Sequence, residues 1–395
     1  MSEWKEYMLG EIADVQTGPF GSQLHQSDYV DVGIPSIMPV NIGNRMEIST
    51  DKIVFITEED AKRLARYRVR EGDIVYSRRG DVEKCAYINK QENGWLCGTG
   101  CLRIRIDSKL ANSKFVAYYL STEDIKSWIS NNAVGTTMPN LNSSILQQVP
   151  LSLPSLDEQR RIASILTSLD DKIDLLRREN ATLEQMAETL FRQWFVVEAN
   201  EEWEEETVAD FAQHCKESIN PQKHPNMVFQ HYSIPAFDSG KVPTIETGEY
   251  IQSNKYLVPT NCLLFSKLNP HKDKRVWLML DDVPENAICS TEFQIVKPNN
   301  PDYLYFLYRW LTNKENYDEI ASGVGGTSGS HQRIDPKSIF SFTCPNVDSN
   351  TIRNYNTKVE PLFYKIRNNQ KQIQTLIQTR DGLLPRLMGG EVKMK

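Results

Sequence analysis

The sequence predicts an α+β protein made of two similar domains separated by two long helices that form an antiparallel coiled coil, an internal repeat of pseudo-twofold character. Three observations predict it. Two heptad-patterned stretches recur at an offset of about 193 residues, so that Leu183, Leu190 and Phe191 align with Leu376, Leu383 and Leu384, Leu169 with Leu362, and Ile173 with Ile366. The openings echo each other as well, Trp4 to Ala13 (WKEYMLGEIA) against Trp203 to Ala212 (WEEETVADFA). Between opening and helix, the same order of short strands, helix and Gly-Thr loop occurs twice. A period this long marks two domains, because solenoid repeats run to only about 20–50 residues.

The domain boundaries follow as 1–155 for the first domain, 156–197 for the central helix, 198–347 for the second domain and 348–395 for the C-terminal helix. In the first domain Gly72-Asp73-Ile74-Val75-Tyr76-Ser77 reads as a turn feeding a buried strand, followed by Arg78-Arg79-Gly80. The second copy has Asn261 to Ser266 followed by Lys267-Leu268-Asn269. A further strand, Leu102–Ile106 or Phe293–Val296, precedes a helix containing Phe115–Leu120 or Tyr303–Leu307. Gly-Thr loops come next, Val134-Gly135-Thr136-Thr137 and Val324-Gly325-Gly326-Thr327, and then short apolar strands lead into the long helices. Both buried strands deliver polar or basic residues to a loop.

The central helix has a seam of alternating four- and three-residue spacings: Ile162, Leu166, Leu169, Ile173, Leu176, Asn180, Leu183, Ala187, Leu190 and Trp194. A run of about 35–40 residues spans roughly 50–60 Å at about 1.5 Å per residue. The C-terminal seam is Tyr355, Val359, Leu362, Ile366, Asn369, Ile373, Leu376, Arg380, Leu383 and Leu387. Because proline interrupts a helix beyond its first turn, Pro361 predicts a break near Glu360, with the continuous helix running from Pro361 to Leu384. An antiparallel pair centred on both seams sets Asn180 opposite Asn369, where a buried Asn fixes register; two Asn exposed by coincidence are the plainer alternative.

Composition bounds the rest. The chain has 395 residues, enough for two or three domains with their own cores, and its 39% hydrophobic and 25% charged fractions are those of a soluble globular protein. No segment approaches the roughly 18 apolar residues of a membrane span, and the start MSEWKEYMLGEIADV lacks a basic stretch followed by an apolar run, so a cytoplasmic location is expected. Seven cysteines without CxxC spacing fit buried thiols in a reducing compartment, with Cys97 and Cys101 as packing residues. The net charge of −7 argues against nucleic acid as a partner, yet base clusters at Lys62–Arg70, Arg78–Arg79 and Lys267–Arg275, while acid collects at Glu198–Glu206 and reads as a solvated hinge.

Several motifs taken together resemble those of a known family. These are Thr17-Gly18-Pro19-Phe20-Gly21-Ser22 near the start, Glu71-Gly72-Asp73-Ile74 in mid-domain, and Leu153-Pro154-Ser155-Leu156-Asp157-Glu158-Gln159 entering the first long helix. Leu190-Phe191-Arg192-Gln193-Trp194-Phe195 ends that helix, and Leu383 to Glu391 (LLPRLMGGE) closes the chain. In this order, and with the duplication, the chain resembles the specificity (S) subunit of type I restriction-modification systems over essentially its whole length. The second copy departs from the pattern, with Ser218-Ile219-Asn220-Pro221 in place of the TGPFGS loop and Pro345-Asn346-Val347-Asp348 in place of Pro-Leu-x-Glu-Gln.

The resemblance implies two target-recognition domains that read the halves of an asymmetric bipartite site in double-stranded DNA, and spacer helices that dock two methyltransferase (M) subunits. It further implies a non-catalytic chain. S-adenosylmethionine would serve the methyltransferase partners, which modify adenine N6, and ATP and Mg²⁺ a restriction (R) subunit that joins them. If the helices act as a ruler, four residues inserted into one lengthen it by about 6 Å, close to two base pairs of spacer.

The candidate DNA-binding residues are loop residues: Gly21, Ser22, Ser77, Arg78, Arg79, Thr136 and Thr137 in the first domain, and Lys267, Asn269, His271, Lys272 and Thr327 in the second. Arginine at a loop tip binds guanine or phosphate bidentately; exposed solvating charge explains Arg78 and Arg79 equally well. Rival chemistry is weaker. Asn300-Pro301-Asp302-Tyr303 is similar to the Asn-Pro-Pro-Tyr of amino-methyltransferases, but Asp302 breaks it and no glycine-rich cofactor turn accompanies it, so a helix start after a strand is the simpler reading. Gly323–Gly329 lacks the Gly-Lys-Ser/Thr of a P-loop. His214, Cys215, His224 and His231 match no zinc spacing, and no Ser-His-Asp or paired-carboxylate constellation stands out. A coiled-coil scaffold whose domains bind protein is the alternative from another class.

Overall fold

The computed structural model describes residues 4–135, 139–270, 274–322 and 333–392. It divides into two compact units, Met1–Lys172 with Ile377–Lys395, and Ile173–Leu376. The first unit holds a four-stranded antiparallel sheet in the order Ala13–Thr17, Cys101–Ile106, Ile74–Ser77, Cys85–Tyr87. A two-stranded ladder pairs Lys5–Met8 with Pro150–Leu153. A second sheet of Tyr29–Val30, Val54–Ile56, Ile34–Ile37 and Leu96–Cys97 lies in the same unit.

The second unit repeats the central sheet and the opening ladder. Its central sheet runs Ala212–Cys215, Phe293–Pro298, Cys262–Ser266, Val276–Met279, and Glu205–Thr207 pairs with Thr343–Pro345 as the opening ladder. Its other sheet has five strands where the first unit has four. The helices Ser113–Leu120 and Leu304–Thr312 follow the equivalent strands in each copy. After Phe293–Pro298 the chain turns through Asn300, whose side chain accepts the Asp302 N–H at 3.0 Å, so the NPDY segment opens a helix. The acidic run is in part a strand, not a hinge throughout: Glu205 and Glu206 pair with Pro345 and Cys344.

Both long helices are longer than a single small core needs. One spans Leu156–Arg192 and continues as a π-helical turn over Gln193–Val197; the other spans Ser349–Met388. The second has no break at Glu360, contrary to expectation. Proline in a helix interior costs about 3 kcal/mol and frees the carbonyl four residues back. Here Pro361 and Thr357 face outward, where water can bond the freed carbonyl, while Tyr355, Val359, Phe363 and Ile366 on the opposite face are buried. Burial of that face decides the outcome, since truncating one buried aromatic alone costs about 3–5 kcal/mol.

In the second unit the two helices run antiparallel: Trp194 meets Tyr355 at 6.0 Å between ring centroids, and Asn180 meets Asn369. Asn369 is 2% exposed, and its Nδ2 donates to Asn180 Oδ1 at 2.9 Å and to Glu179 Oε2 at 2.9 Å. Phe195 packs between Phe306 and Tyr355, each at 4.9 Å, at the centre of a core that also takes Ala187, Phe191 and Val359. Glu184 on the first helix accepts from the buried Arg309, through both its backbone carbonyl at 2.7 Å and its carboxylate. In the first unit the other ends of the same helices are joined by Asp170, which accepts from Arg380 Nη1 at 2.8 Å and from Tyr118 Oη at 2.6 Å. Ile162, Leu166, Leu387 and Met388 enter the first unit's core. The chain turns off that helix at Gly390, φ +70°, and a Cβ there would press on Trp4 at 3.2 Å.

Replacing Asn369 by Leu should lower the denaturant midpoint of the second unit by an amount equivalent to about 1–3 kcal/mol, because Asn180 loses its donor inside the seam. Leu at both positions should recover most of that loss; equilibrium denaturation of the two variants is the check.

Candidate nucleic-acid interface

Strand register decides which loops meet. In the first unit Thr17 lies opposite Leu102, Ser77 opposite Cys101, and Tyr76 opposite Cys85, so the segments leaving Thr17 and Ser77 and the one entering Cys101 share one end of the sheet. Backbone bonds tie them together. Gly18 N–H donates to Cys101 O at 2.9 Å, and Arg78 N–H donates to Gly100 O at 2.8 Å. Leu141 N–H donates to Arg78 O at 2.9 Å, and Arg79 bridges Asn140. Gly18 has to be glycine, because a Cβ there would sit 2.1 Å from Gly98 O.

The motif residues explain how the site is held. Gly72 takes φ +89° in the turn before the strand. The buried Asp73 carboxylate accepts Arg70 N–H at 2.8 Å and both Nε and Nη2 of Arg105 at 2.8 and 2.6 Å, fixing the strand whose far end carries Arg78. Gln159, 1% exposed, accepts Asn112 N–H at 2.8 Å and donates to Pro154 O at 2.9 Å. Asn112 in turn caps Ser113–Leu120, so the Leu-Asp-Glu-Gln motif locks the start of the long helix onto the domain helix.

On this frame Ser77 is buried, its Oγ donating to Arg79 O at 3.0 Å, which shapes the loop and leaves no hydroxyl for a ligand. Arg78 is half-buried, its Nε without a partner among the described residues, and Arg79 is exposed. Gly21 and Ser22 are exposed three and four residues beyond Gly18, with Gly21 at φ +61°. Asn140 joins them with a buried Oδ1 that has no partner among the described residues. Thr136 and Thr137 lie outside the described residues. The Lys62–Arg70 cluster is partly structural: Arg68 Nε donates to Gly94 O at 2.6 Å, and Arg66 stacks over Tyr67 at 4.5 Å.

The second unit builds the same sheet end. Lys267 N–H donates to Glu292 O at 3.0 Å and Ile334 N–H donates to Lys267 O at 2.9 Å, which makes Lys267 the counterpart of Arg78. Leu268 bridges Arg333 as Arg79 bridges Asn140. Lys267 Nζ donates to Thr291 O at 2.9 Å, and Asn269 follows in a left-handed conformation, φ +49°. Of the basic run, Arg275 is held by Asp238 through Nε at 2.6 Å and Nη2 at 2.9 Å, and Lys274 donates to Thr312 O, so both serve the fold. His271, Lys272 and Thr327 lie outside the described residues. Sequence reasoning missed Asn140, Glu292 and Arg333; the signal was the repeat itself, which carries Asn140 onto Arg333.

Titratable groups here are tuned by burial. His214 stacks on Phe340 at 5.3 Å, and desolvation, reinforced by the charges of Lys216 and Lys267, pulls its pKa down to about 4. Burial pushes the Cys97 thiol up to about 12, so it stays protonated. His224 is exposed and His231 is bonded to Glu246 at 2.9 Å. Among the described residues, no helix is long and apolar enough to cross a membrane.

Residues 1–185 match the type I restriction modification DNA specificity domain. Over the whole chain the sequence is 25% identical to the type I restriction enzyme MjaIX specificity subunit of Methanocaldococcus jannaschii, covering 94% of that protein. Over 50% of this chain and 41% of the relative it is 27% identical to the HindI specificity subunit of Haemophilus influenzae. The fold is shared with the solved S subunit of the type I restriction-modification system of M. genitalium, with a TM-score of 0.60, 17% identity, and coverage of 99% of this chain and 97% of that one. The architecture is thus that of the solved S subunit. In its first 185 residues and in its sequence over the whole length, the chain is similar to the specificity subunits of type I restriction-modification systems.

Because the folded His214 titrates near 4 against an ordinary 6.5, the unfolded chain binds this proton first as pH falls. Stability should therefore drop between pH 6.5 and 4 in wild type, and less steeply in His214→Phe; unfolding midpoints measured across that range test it.

Proposed function

We propose that the chain reads an asymmetric, two-part site in double-stranded DNA, one part through each unit, and that catalysis belongs to its partners. One observation carries this reading. The two units offer the same sheet end with the same backbone bonds but different side chains, Arg78, Arg79 and Asn140 in one and Lys267, Leu268 and Arg333 in the other. Arginine and asparagine are the side chains that pair bidentately with guanine and adenine edges, and lysine and arginine also hold phosphates. A shared scaffold with unlike readers suits an asymmetric target.

Two methyltransferase subunits would dock on each chain and modify adenine N6 with S-adenosylmethionine. A restriction subunit using ATP and Mg²⁺ would be a further partner, and the complex would act in the cytoplasm. None of these cofactors would be held by this chain. The loop groups support a binding role: guanidinium, amide and ammonium donors recognise, whereas the Cys97 thiol is buried and the His214 imidazole is half-buried against Phe340, placements that suit packing.

The test is duplex binding by the complex of this chain with its methyltransferase subunits, titrated over a range of salt. Arg78→Ala and Arg79→Ala should each weaken binding. An arginine on a base edge loses about 1–3 kcal/mol at one base pair, and one on a phosphate lowers the salt slope by about one for every sequence. Unchanged affinity and slope in the double variant would contradict the reading.

A further inference from the structure

Arg333 and Glu292 form a pair that no motif announces. Arg333 Nε lies 3.1 Å from Glu292 Oε2 and Nη2 lies 2.9 Å from Oε1, a side-on bidentate clamp. Both residues are anchored through Lys267: Glu292 O accepts its N–H, and Ile334, next to Arg333, donates to its carbonyl. Glu292 is the more buried partner, at 26% side-chain exposure against 52% for Arg333.

A guanidinium has five N–H donors in a planar fork. The clamp uses one on Nε and one on Nη2, leaving two on Nη1 and one on Nη2. The remaining end-on edge carries one N–H from each terminal nitrogen, side by side. That edge matches the O6 and N7 acceptors of guanine in the major groove, the commonest bidentate base contact. The carboxylate also restrains the side chain, which lowers the entropy lost on binding, and neutralises its charge, which weakens its pull on phosphate relative to a base edge. The first unit lacks this device, with Asn140 and Gly100 at the equivalent positions and no ion pair on the Arg79 guanidinium among the described residues.

We infer that Arg333, positioned by Glu292, is the guanine-reading residue of the second unit. This rests on the DNA-reading function proposed above. The test uses the complex with its methyltransferase subunits and duplex oligonucleotides carrying its methylated motif, each with one base pair replaced. Wild type should discriminate against loss of one G·C pair in one half of the motif by roughly 5- to 150-fold. Arg333→Ala should abolish discrimination at that pair and leave the other half unchanged. Arg333→Lys should keep the salt dependence but lose the discrimination, because an ammonium has no fork. Glu292→Gln should reduce discrimination at the same pair only. Weakening that is uniform across all duplexes, or unaltered preferences in Arg333→Ala, would overturn the assignment. A wild-type complex that binds every duplex alike would instead sink the DNA-reading function itself.

Discussion

The structure depends on the burial of two long amphipathic helices. Neither helix could leave its apolar face in water, and neither unit could close its core without them. The second unit takes Ala187, Phe191, Tyr355, Val359 and Phe363; the first takes Ile162, Leu166, Leu387 and Met388. Several polar groups in or beside the seams are paired in place, Asn369 with Asn180 and Glu179, Arg380 with Asp170, Arg309 with Glu184. An apolar seam tolerates sliding by one heptad, whereas a donor facing an acceptor at one level does not. The same demand for burial carries the second helix through Pro361.

Once the cores are closed, the sheets position function. Strand pairing brings the segments that leave and enter three strands to one end, and main-chain bonds hold them there irrespective of side chain. This separates scaffold from side chain: Arg78 and Lys267 occupy one backbone position, and Asn140 and Arg333 another, with matching bonds and unlike chemistry. Side chains at such positions can be exchanged without disturbing the core, because their structural work is done by N–H and C=O groups that every residue except proline supplies.

Periodicity made much of this legible in the sequence. The heptad seams located both helices, the repeat offset gave two copies, and the turn before Ile74 and the strand after it were readable from Gly72-Asp73 and the apolar run. Charge was a poorer guide. Arg68, Lys274 and Arg275 belong to basic runs, yet they bond to a carbonyl or carboxylate within the fold, a fate that depends on Gly94, Thr312 and Asp238 far away in sequence. Asn140, Glu292 and Arg333 were invisible for the converse reason: each is unremarkable locally and gains meaning only from the strand register. The break expected at Pro361 and the hinge expected through Glu206 failed because tertiary burial and strand pairing outweighed local propensity.

On the function proposed above, one chain sets a two-part sequence preference for adenine methylation. A genome-wide map of methylated adenines, in source cells with and without this gene, tests it most directly. Deletion should remove methylation at one split, asymmetric motif and nowhere else; loss of a continuous or palindromic motif, or an unchanged map in cells where the methyltransferase partners are expressed, would rule this function out.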